Sequence, residues 1–468
     1  MVAEKKKTDF TQGKIFLKLL LFVLPIVATN LLQTFYNAAD MMVVSLSSEV
    51  NAVGAVGTTG SFISLIVNIF IGFSVGANVV VARNIGANNP ERTQKAVHTS
   101  LLVGLFFGVV GGAFGIVISR PLLQWMGNTG NLLDLAVKYT YFYFAGVPFL
   151  ALTNYLIAIF RAKGDSKTPL IVLALAGLLN VGLNVFFVLV CHMSVEGVAL
   201  ATAIANATSF FVLLIKLANA NDDTKFSLKR LRVDKKALKD IVSIGFPAAV
   251  QGALFAVSNI LIQSSVVTVN NNLCPPDSKV QPVVNGCAAS SNLTNFVYTA
   301  QNAVYQGAIT FTSQNMGAEK PKRVYAVMGW CTLLVTAIGG VLGTALFLCK
   351  EPLLGLYGVT QGAEDSLNAI AFKAAATQLA FVSLPYFLCG IMEVGSGVLR
   401  GLNCSMLSMV ITIIGSCVLR VIWLMTAFPA RQTLEMVYVC YPITWLLTSA
   451  ALFSCAFIIL SKIIKGAR

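Results

Sequence analysis

Long apolar runs separated by short polar stretches dominate this chain. Spanning the hydrocarbon core of a bilayer takes about 20 mostly apolar residues in a helix. Runs of that length fall near 16–46, 54–82, 94–118, 133–160, 168–191 and 196–218. After a charged stretch they resume near 240–270, 293–315, 324–349, 372–399, 405–428 and 437–461. The pattern predicts an all-α membrane protein with twelve transmembrane helices in two groups of six. The corresponding segments are a tail over 1–13, a first lobe over 14–219, a linker over 220–239, a second lobe over 240–464 and a tail over 465–468. The apolar run from Ile15 continues with no small-residue cleavage site, so it reads as an uncleaved first helix and not as a signal peptide.

The two groups look like copies. GANVVVARNIGANNPER (76–92) aligns without gaps with GAITFTSQNMGAEKPKR (307–323) and matches at seven of 17 positions, among them Gly86/Gly317 and Pro90/Pro321. LPIVATNLLQTFYNAAD (24–40) faces FPAAVQGALFAVSNILI (246–262), sharing Pro25/Pro247 and Asn37/Asn259. Arg161 and Arg400 close the fourth and tenth predicted helices. An even number of helices per repeat makes the copies parallel, related by a pseudo-two-fold axis along the membrane normal.

Charge placement orients the helices. If the N-terminus lies inside, 26 of the 33 Lys and Arg fall on the inner side. Six (Arg120, Lys138, Lys279, Lys350, Lys373, Arg431) fall outside, and Arg420 lies within a helix. The positive-inside rule therefore places both termini in the cytoplasm and the chain in the cell membrane, surrounded by lipid. Composition agrees: 56% of residues are hydrophobic and 11% charged, against about 25% charged in soluble domains. The net charge of +14 sits in short clusters between apolar runs, which argues against a nucleic-acid partner. The long charged stretch ANDDTKFSLKRLRVDKKALKD (220–240) reads as an amphipathic connector or a solvated linker. Most of the ten cysteines lie inside apolar runs and read as small buried hydrophobes. Cys274 and Cys287 share one predicted outer loop and could bridge locally.

Against this apolar background each ionisable group inside a helix is a functional candidate. Asp40 is the sharpest. Gln33, Tyr36 or Asn37, and Asp40 fall at helical spacing on one face. Loss of hydration disfavours the charged form of a buried carboxylate, so such a group can load and release a proton, or in its ionised form hold Na⁺. Pro25 removes a backbone hydrogen bond and permits a bend, which makes it a candidate hinge. Asn180 and Asn184 share a face of the fifth helix and could join Asp40 in a cation-coupling site. The alternative is an Asp that only hydrogen-bonds a neighbouring helix.

Glu393 is the second carboxylate, with three readings: a further coupling site, a counter-charge for cationic substrates, or the ion-pair partner of Arg420. The seventh helix carries Gln251, Phe255, Asn259 and Gln263 at four-residue spacing. On the eighth, Tyr298, Gln301 or Asn302, and Tyr305 share a face. Amides with aromatics suit a cavity for flat amphipathic molecules, and they equally suit interhelical hydrogen bonding. Walker and HExxH sequences are absent, the single GxSxG match (72–76) lies inside an apolar run, and His98 and His192 are the only histidines, so catalysis and ATP-driven transport are disfavoured. No cofactor or metal is expected beyond the coupling ion.

In the order and spacing of these motifs the chain resembles the multidrug and toxic compound extrusion family, from about Lys14 to Ile464. The resemblance rests on Pro25…Gln33…Asn37…Asp40, on NIGANNPER and NMGAEKPKR, on RAKGDSKTP (161–169), and on IGFPAAVQGALFAVSN (244–259) and LPYFLCGIMEVGSGVLRG (384–401). It implies a twelve-helix, two-lobe antiporter that exports drugs or metabolites, including organic cations, against inward H⁺ or Na⁺ and acts as a monomer. In the DinF-like prokaryotic branch a first-helix Asp after a proline is the cation site, which maps onto Asp40 and Pro25. That branch pairs an Asn with an Asp four residues on in the fifth helix; here the second position is Asn184, which leaves one carboxylate. The acidic residue that other branches carry in the seventh helix is also missing, with Phe255 and Asn259 in that region. The 270–287 insertion departs from the repeat: Pro247 to Gly307 spans 60 residues against 51 from Pro25 to Gly76.

Three rivals fit less well. A major-facilitator transporter carries an Asp-Arg-Gly-Arg-like signature where this chain has RNIGANNPER. A lipid-linked oligosaccharide flippase calls for several basic residues in its cavity, and Arg420 is the one candidate. A membrane transferase calls for an acid/base pair or His cluster at one interface.

Overall fold

The computed structural model describes residues 9–47, 49, 52–126, 128–273, 281–362 and 366–466. In chain order the helices are α1 (Ile15–Val44), α2 (Ala52–Gly86), α3 (Pro90–Trp125), α4 (Gly130–Ala162), α5 (Lys167–Val185), α6 (Val195–Ala218), α7 (Lys235–Leu273) and α8 (Pro282–Gly317). They are followed by α9 (Pro321–Leu348), α10 (Lys350–Gly355), α11 (Leu367–Gln378), α12 (Tyr386–Gly401), α13 (Ser405–Thr412), α14 (Leu419–Thr426), α15 (Leu434–Tyr438) and α16 (Cys440–Gly466). No strand occurs among the described residues.

Ten stretches among the described residues are long and apolar enough to cross a membrane. An eleventh is a broken span, Leu367–Ser383 with Tyr386–Gly401, bent by 41°. Its break falls at Pro385, which has no N–H to continue the helix, just after the wide π turn Leu379–Ser383. The twelfth is α8, 36 residues long but rich in Asn, Gln, Ser and Thr. It begins at Pro282 and not near 293 as hydropathy suggested, because Asn285, Gly286, Ser290, Ser291 and Asn292 dilute the apolar residues of its first three turns. α7 likewise starts at Lys235, five residues ahead of the apolar run. Asp234 caps it, its Oδ1 accepting from Ala237 N at 2.8 Å.

By packing, the chain divides into two compact units, Met1–Gly252 with Ser313–Lys320 and Ala253–Thr312 with Pro321–Arg468. α7 and α8 each contribute to both. In the first unit α4 is the central helix, packed on α2, α3 and α6. Its close approach to α3 depends on glycine: a Cβ on Gly108 would sit 2.8 Å from Pro148 Cα, and one on Gly112 2.8 Å from Phe144 O. Small residues at helical spacing are how membrane helices gain close van der Waals contact. In the second unit α12 holds the middle, packed on α9 and α16.

The sequence repeat is a structural repeat. α2 and α8 end at Gly86 and Gly317; each is followed by a left-handed residue, Asn88 (φ 48°) or Glu319 (φ 56°), and by a helix opening at Pro90 or Pro321. The turn bonds match, Asn89 N to Asn84 O at 3.2 Å and Lys320 N to Asn315 O at 2.8 Å. Proline at the first helical position has no N–H to leave unpaired.

Of the 220–239 connector, residues 220–234 are irregular apart from one 3₁₀ turn at Leu228–Arg230 and residues 235–239 already belong to α7; the irregular part is fastened to α3. His98 is buried with its ring stacked on Phe226, its Nε2 lies 3.1 Å from both N and O of Ser227, and Asp234 N donates to Thr99 Oγ1 at 3.0 Å. Cys274, and with it the predicted bridge to Cys287, lies outside the described residues, as do the neighbouring residues 275–280 of the insertion.

Candidate functional site

α1 carries Asp40 on the face that meets α5. Asp40 is half-buried, and Asn184 Nδ2 of α5 donates to its Oδ1 at 2.5 Å. One turn earlier, Asn180 satisfies its neighbours best with its amide nitrogen toward Asp40 Oδ1 at 2.8 Å and its oxygen toward Thr202 Oγ1 and N, at 3.2 and 3.3 Å. The Thr202 hydroxyl of α6 also reaches the carboxylate. Its single proton goes to the carboxylate, to the Asn180 oxygen or to Val198 O at 3.0 Å. Asn184 Oδ1 is buried and has no hydrogen-bond partner. Tyr139 and Tyr143 of α4 lie within electrostatic reach of Asp40.

Close contact between α1 and α5 is set by one glycine. Tyr36 lies flat on α5 and donates to Ala174 O at 2.9 Å; a Cβ on Gly177 would overlap its ring. Pro25 is buried inside α1, which runs through it without a break, and the carbonyl of Pro25 accepts from Thr29 Oγ1 at 2.8 Å. Gln33 and Asn37 are exposed on the same helix.

The second unit holds a separate polar cluster. Glu393 of α12 is half-buried and within electrostatic reach of Tyr298 and Tyr305 of α8, of Tyr386, and of Arg400 about two turns along its own helix. Asn302 hydrogen-bonds Tyr298, and Arg400 Nη1 donates to the Tyr305 hydroxyl. Gln301, buried, donates to Tyr386 O at 3.3 Å. The cation acting on Glu393 is thus Arg400 and not Arg420. Arg420 lies against Tyr441 and Trp445 instead.

The structure therefore brings together Asp40, Asn180 and Asn184 in one unit, and Glu393, Tyr298, Asn302 and Tyr305 in the other. The predicted α7 stripe stays on one unbroken helix that the two units divide. Gln251 is buried in the first unit, while Asn259 and Gln263 are exposed in the second. Thr202, Tyr139 and Tyr143 escaped sequence reading; nothing marks Thr202, whereas the four-residue spacing of the two tyrosines was a usable signal. Arg400 was noticed only as a helix end.

The MatE family model matches residues 25–186 and 281–426, well over half of the chain. The chain belongs to the MatE family. It is 27% identical over 366 residues to the probable multidrug resistance protein YoeA of Bacillus subtilis, covering 76% of each chain. It is 20% identical over 384 residues to the multidrug export protein MepA of Staphylococcus aureus, covering 82% of each. The fold is that of an outward-facing multidrug resistance MATE family transporter of the MOP superfamily, with TM-score 0.88, 19% identity and coverage of 98% and 99%. A MOP superfamily transporter from Pyrococcus furiosus superposes with TM-score 0.87, at the same identity and coverage. A MatE protein is a multi-span membrane transporter and not an enzyme, and this chain has the family's twelve helices in two lobes.

Proposed function

We propose that this MatE chain is a secondary antiporter that exports small organic compounds, organic cations among them, in exchange for inward H⁺, with Na⁺ as the alternative coupling ion. The observation that carries the reading is the Asp40 cluster. A lone membrane carboxylate is costly, yet here it is the focus of two amides and a hydroxyl drawn from α5 and α6. Such a site can take a proton directly on Asp40. It can also take Na⁺, with Asp40, the spare Asn184 oxygen and the Thr202 hydroxyl as oxygen ligands suited to a hard cation.

Coupling in this scheme works through α1. Asp40 and Tyr36 tie α1 to α5, and Pro25 leaves that helix one hydrogen bond short. Loading the carboxylate changes what its amide neighbours can donate to, and so biases how α1 sits on α5. A ligand shifts a two-state equilibrium only by its differential affinity for the two states, and the cluster supplies that difference. The remaining sequence expectations, both termini inside the cell membrane and a monomer at work, belong to the same proposal. The test is export of a cationic dye from proteoliposomes under separately imposed pH and Na⁺ gradients. Dye movement driven by the pH gradient alone supports H⁺ coupling, movement driven only by Na⁺ reassigns the ion, and movement under neither refutes antiport.

A further inference from the structure

Arg420 lies on α14 deep in the second unit, with 2% of its surface exposed. Its Nε donates to Thr444 Oγ1 at 3.1 Å, and its guanidinium carbon lies 4.1 Å from the Tyr441 ring centroid and 5.8 Å from that of Trp445. Trp445 in turn meets Tyr386 edge-on at 5.3 Å. The Nη2 nitrogen is buried and makes no hydrogen bond. No ion pair among the described residues involves Arg420, and Glu393, the acidic group of this region, is engaged by Arg400. Cys389 feels both Glu393 and Arg420, so the two opposite charges flank one aromatic-walled region without meeting.

Stability alone gives this arrangement little reason to exist. A buried cation lacking a counter-charge is among the most costly placements for a side chain, and a Leu or Met would fill the same volume freely. Cation–π contacts recover part of that cost, but they hold the faces of the guanidinium and, with Nε on Thr444, leave an Nη edge whose Nη2 is unpartnered. That edge is the planar fork that matches a carboxylate, and the surrounding rings offer stacking surfaces to a flat molecule.

We propose that Arg420, Tyr441 and Trp445 form an anion-recognising subsite for aromatic compounds bearing a carboxylate. Glu393 at the other side of the region receives a positive group when the compound is zwitterionic. This deepens the reading of the chain as an exporter of small organic compounds and rests on it for the biological role, though not for binding itself.

The experiment uses a matched pair, a rhodamine with a free carboxylate and its methyl ester, which differ in the anionic group and share the cationic ring system. Binding to the detergent-solubilised full chain is read from dye anisotropy. Wild type should bind the free acid about tenfold more tightly than the ester, the size of effect a charged hydrogen bond supports. Arg420→Gln should bring that ratio to about one by weakening the acid and sparing the ester. Arg420→Lys keeps the charge and loses the fork; it should lower the ratio by about threefold, and it carries the test should the Gln variant fail to fold. A wild-type ratio near one, or a ratio the variants leave unchanged, overturns the proposal. Export from proteoliposomes is measured separately: Arg420-dependent acid binding without export leaves the subsite standing and defeats the exporter reading.

Discussion

Asn184 on α5 donates its amide to Oδ1 of Asp40 on α1 at 2.5 Å, while its own carbonyl oxygen is buried with no partner. Donor and spare acceptor on one side chain let the same residue stabilise a charged carboxylate or contribute an oxygen to a cation. Asn180, one turn away on the same face, repeats the donation at 2.8 Å.

Removing the Asn184 amide leaves Asp40 short of a donor. Asn184→Ala is expected to cost roughly 1–3 kcal/mol, the penalty for stranding a buried polar group, seen as a lower thermal midpoint in detergent, and to slow gradient-driven export. Asn184→Asp, the conservative exchange in shape, should fold and keep export. Asp keeps the shape and can donate only by sharing a proton with Asp40, so equal loss in both variants would show that the amide donor itself is required there.

Gly177 and Gly182 separate packing from propensity on one helix. A Cβ at 177 overlaps the Tyr36 ring, whereas at 182 nothing lies within 4 Å. Gly177→Ala should destabilise the protein by about 1–3 kcal/mol through overpacking and impair export, and Gly182→Ala should do neither. Thermal unfolding of the two variants side by side checks this, and similar behaviour of both contradicts the α1–α5 contact.

The connector offers a pH test outside the membrane. Partial burial pushes the Asp222 carboxyl up, but the Thr224 hydroxyl and amide, with Lys163 at 3.5 Å, outweigh it and hold Asp222 below the usual carboxylate range. A carboxyl lowered on folding adds stability above its unfolded value, about 3.9 for Asp, and that stability is lost as pH falls through the folded value. Asp222→Asn should therefore lower the thermal midpoint at neutral pH and converge with wild type at the acid end. A constant difference across pH would mean that the side chain acts by shape alone.

His98 should control access to the same connector. With its ring bonded to Ser227 and stacked on Phe226, it pins a segment rich in trypsin sites. His98→Ala is expected to speed tryptic cleavage between Lys225 and Lys239 several-fold, an increase in local opening, with cleavage elsewhere unchanged. An unchanged rate would place the restraint in Thr99, which accepts from Asp234 N, and in Gln94, whose Oε1 accepts from Arg230 Nη1 at 2.5 Å.

Hydropathy made most of the fold legible, because lipid imposes a length and an apolar composition on each spanning helix. It failed where polar residues dilute a helix start: Asn285, Ser290, Ser291 and Asn292 hid the start of α8, and Asp234 and the lysines after it hid the start of α7. The connector was ambiguous because its order comes from His98 and Thr99, more than 120 residues away. At the site, Asp40, Asn180 and Asn184 were readable as rare polar groups at helical spacing. Thr202 was not, since a threonine in an apolar helix carries no signal until its neighbour is known. Glu393 could be found by the same rarity, but its partner could not: Arg400 lies seven residues along the same helix and Arg420 on a later one, and the influence on Glu393 comes from Arg400. The α7 stripe was regular in spacing and still divided between the two units, because periodicity fixes a face and not what that face meets.

The central claim is that Asp40 couples export to the cation gradient. The most direct measurement is dye export from proteoliposomes under an imposed gradient by Asp40→Asn, with dye binding in detergent recorded for the same preparation. The account predicts gradient-driven export at the level of empty liposomes while the variant still folds and binds dye within about threefold of wild type, since Asn keeps the shape and loses only the titratable charge. Full gradient-driven export by Asp40→Asn would contradict it.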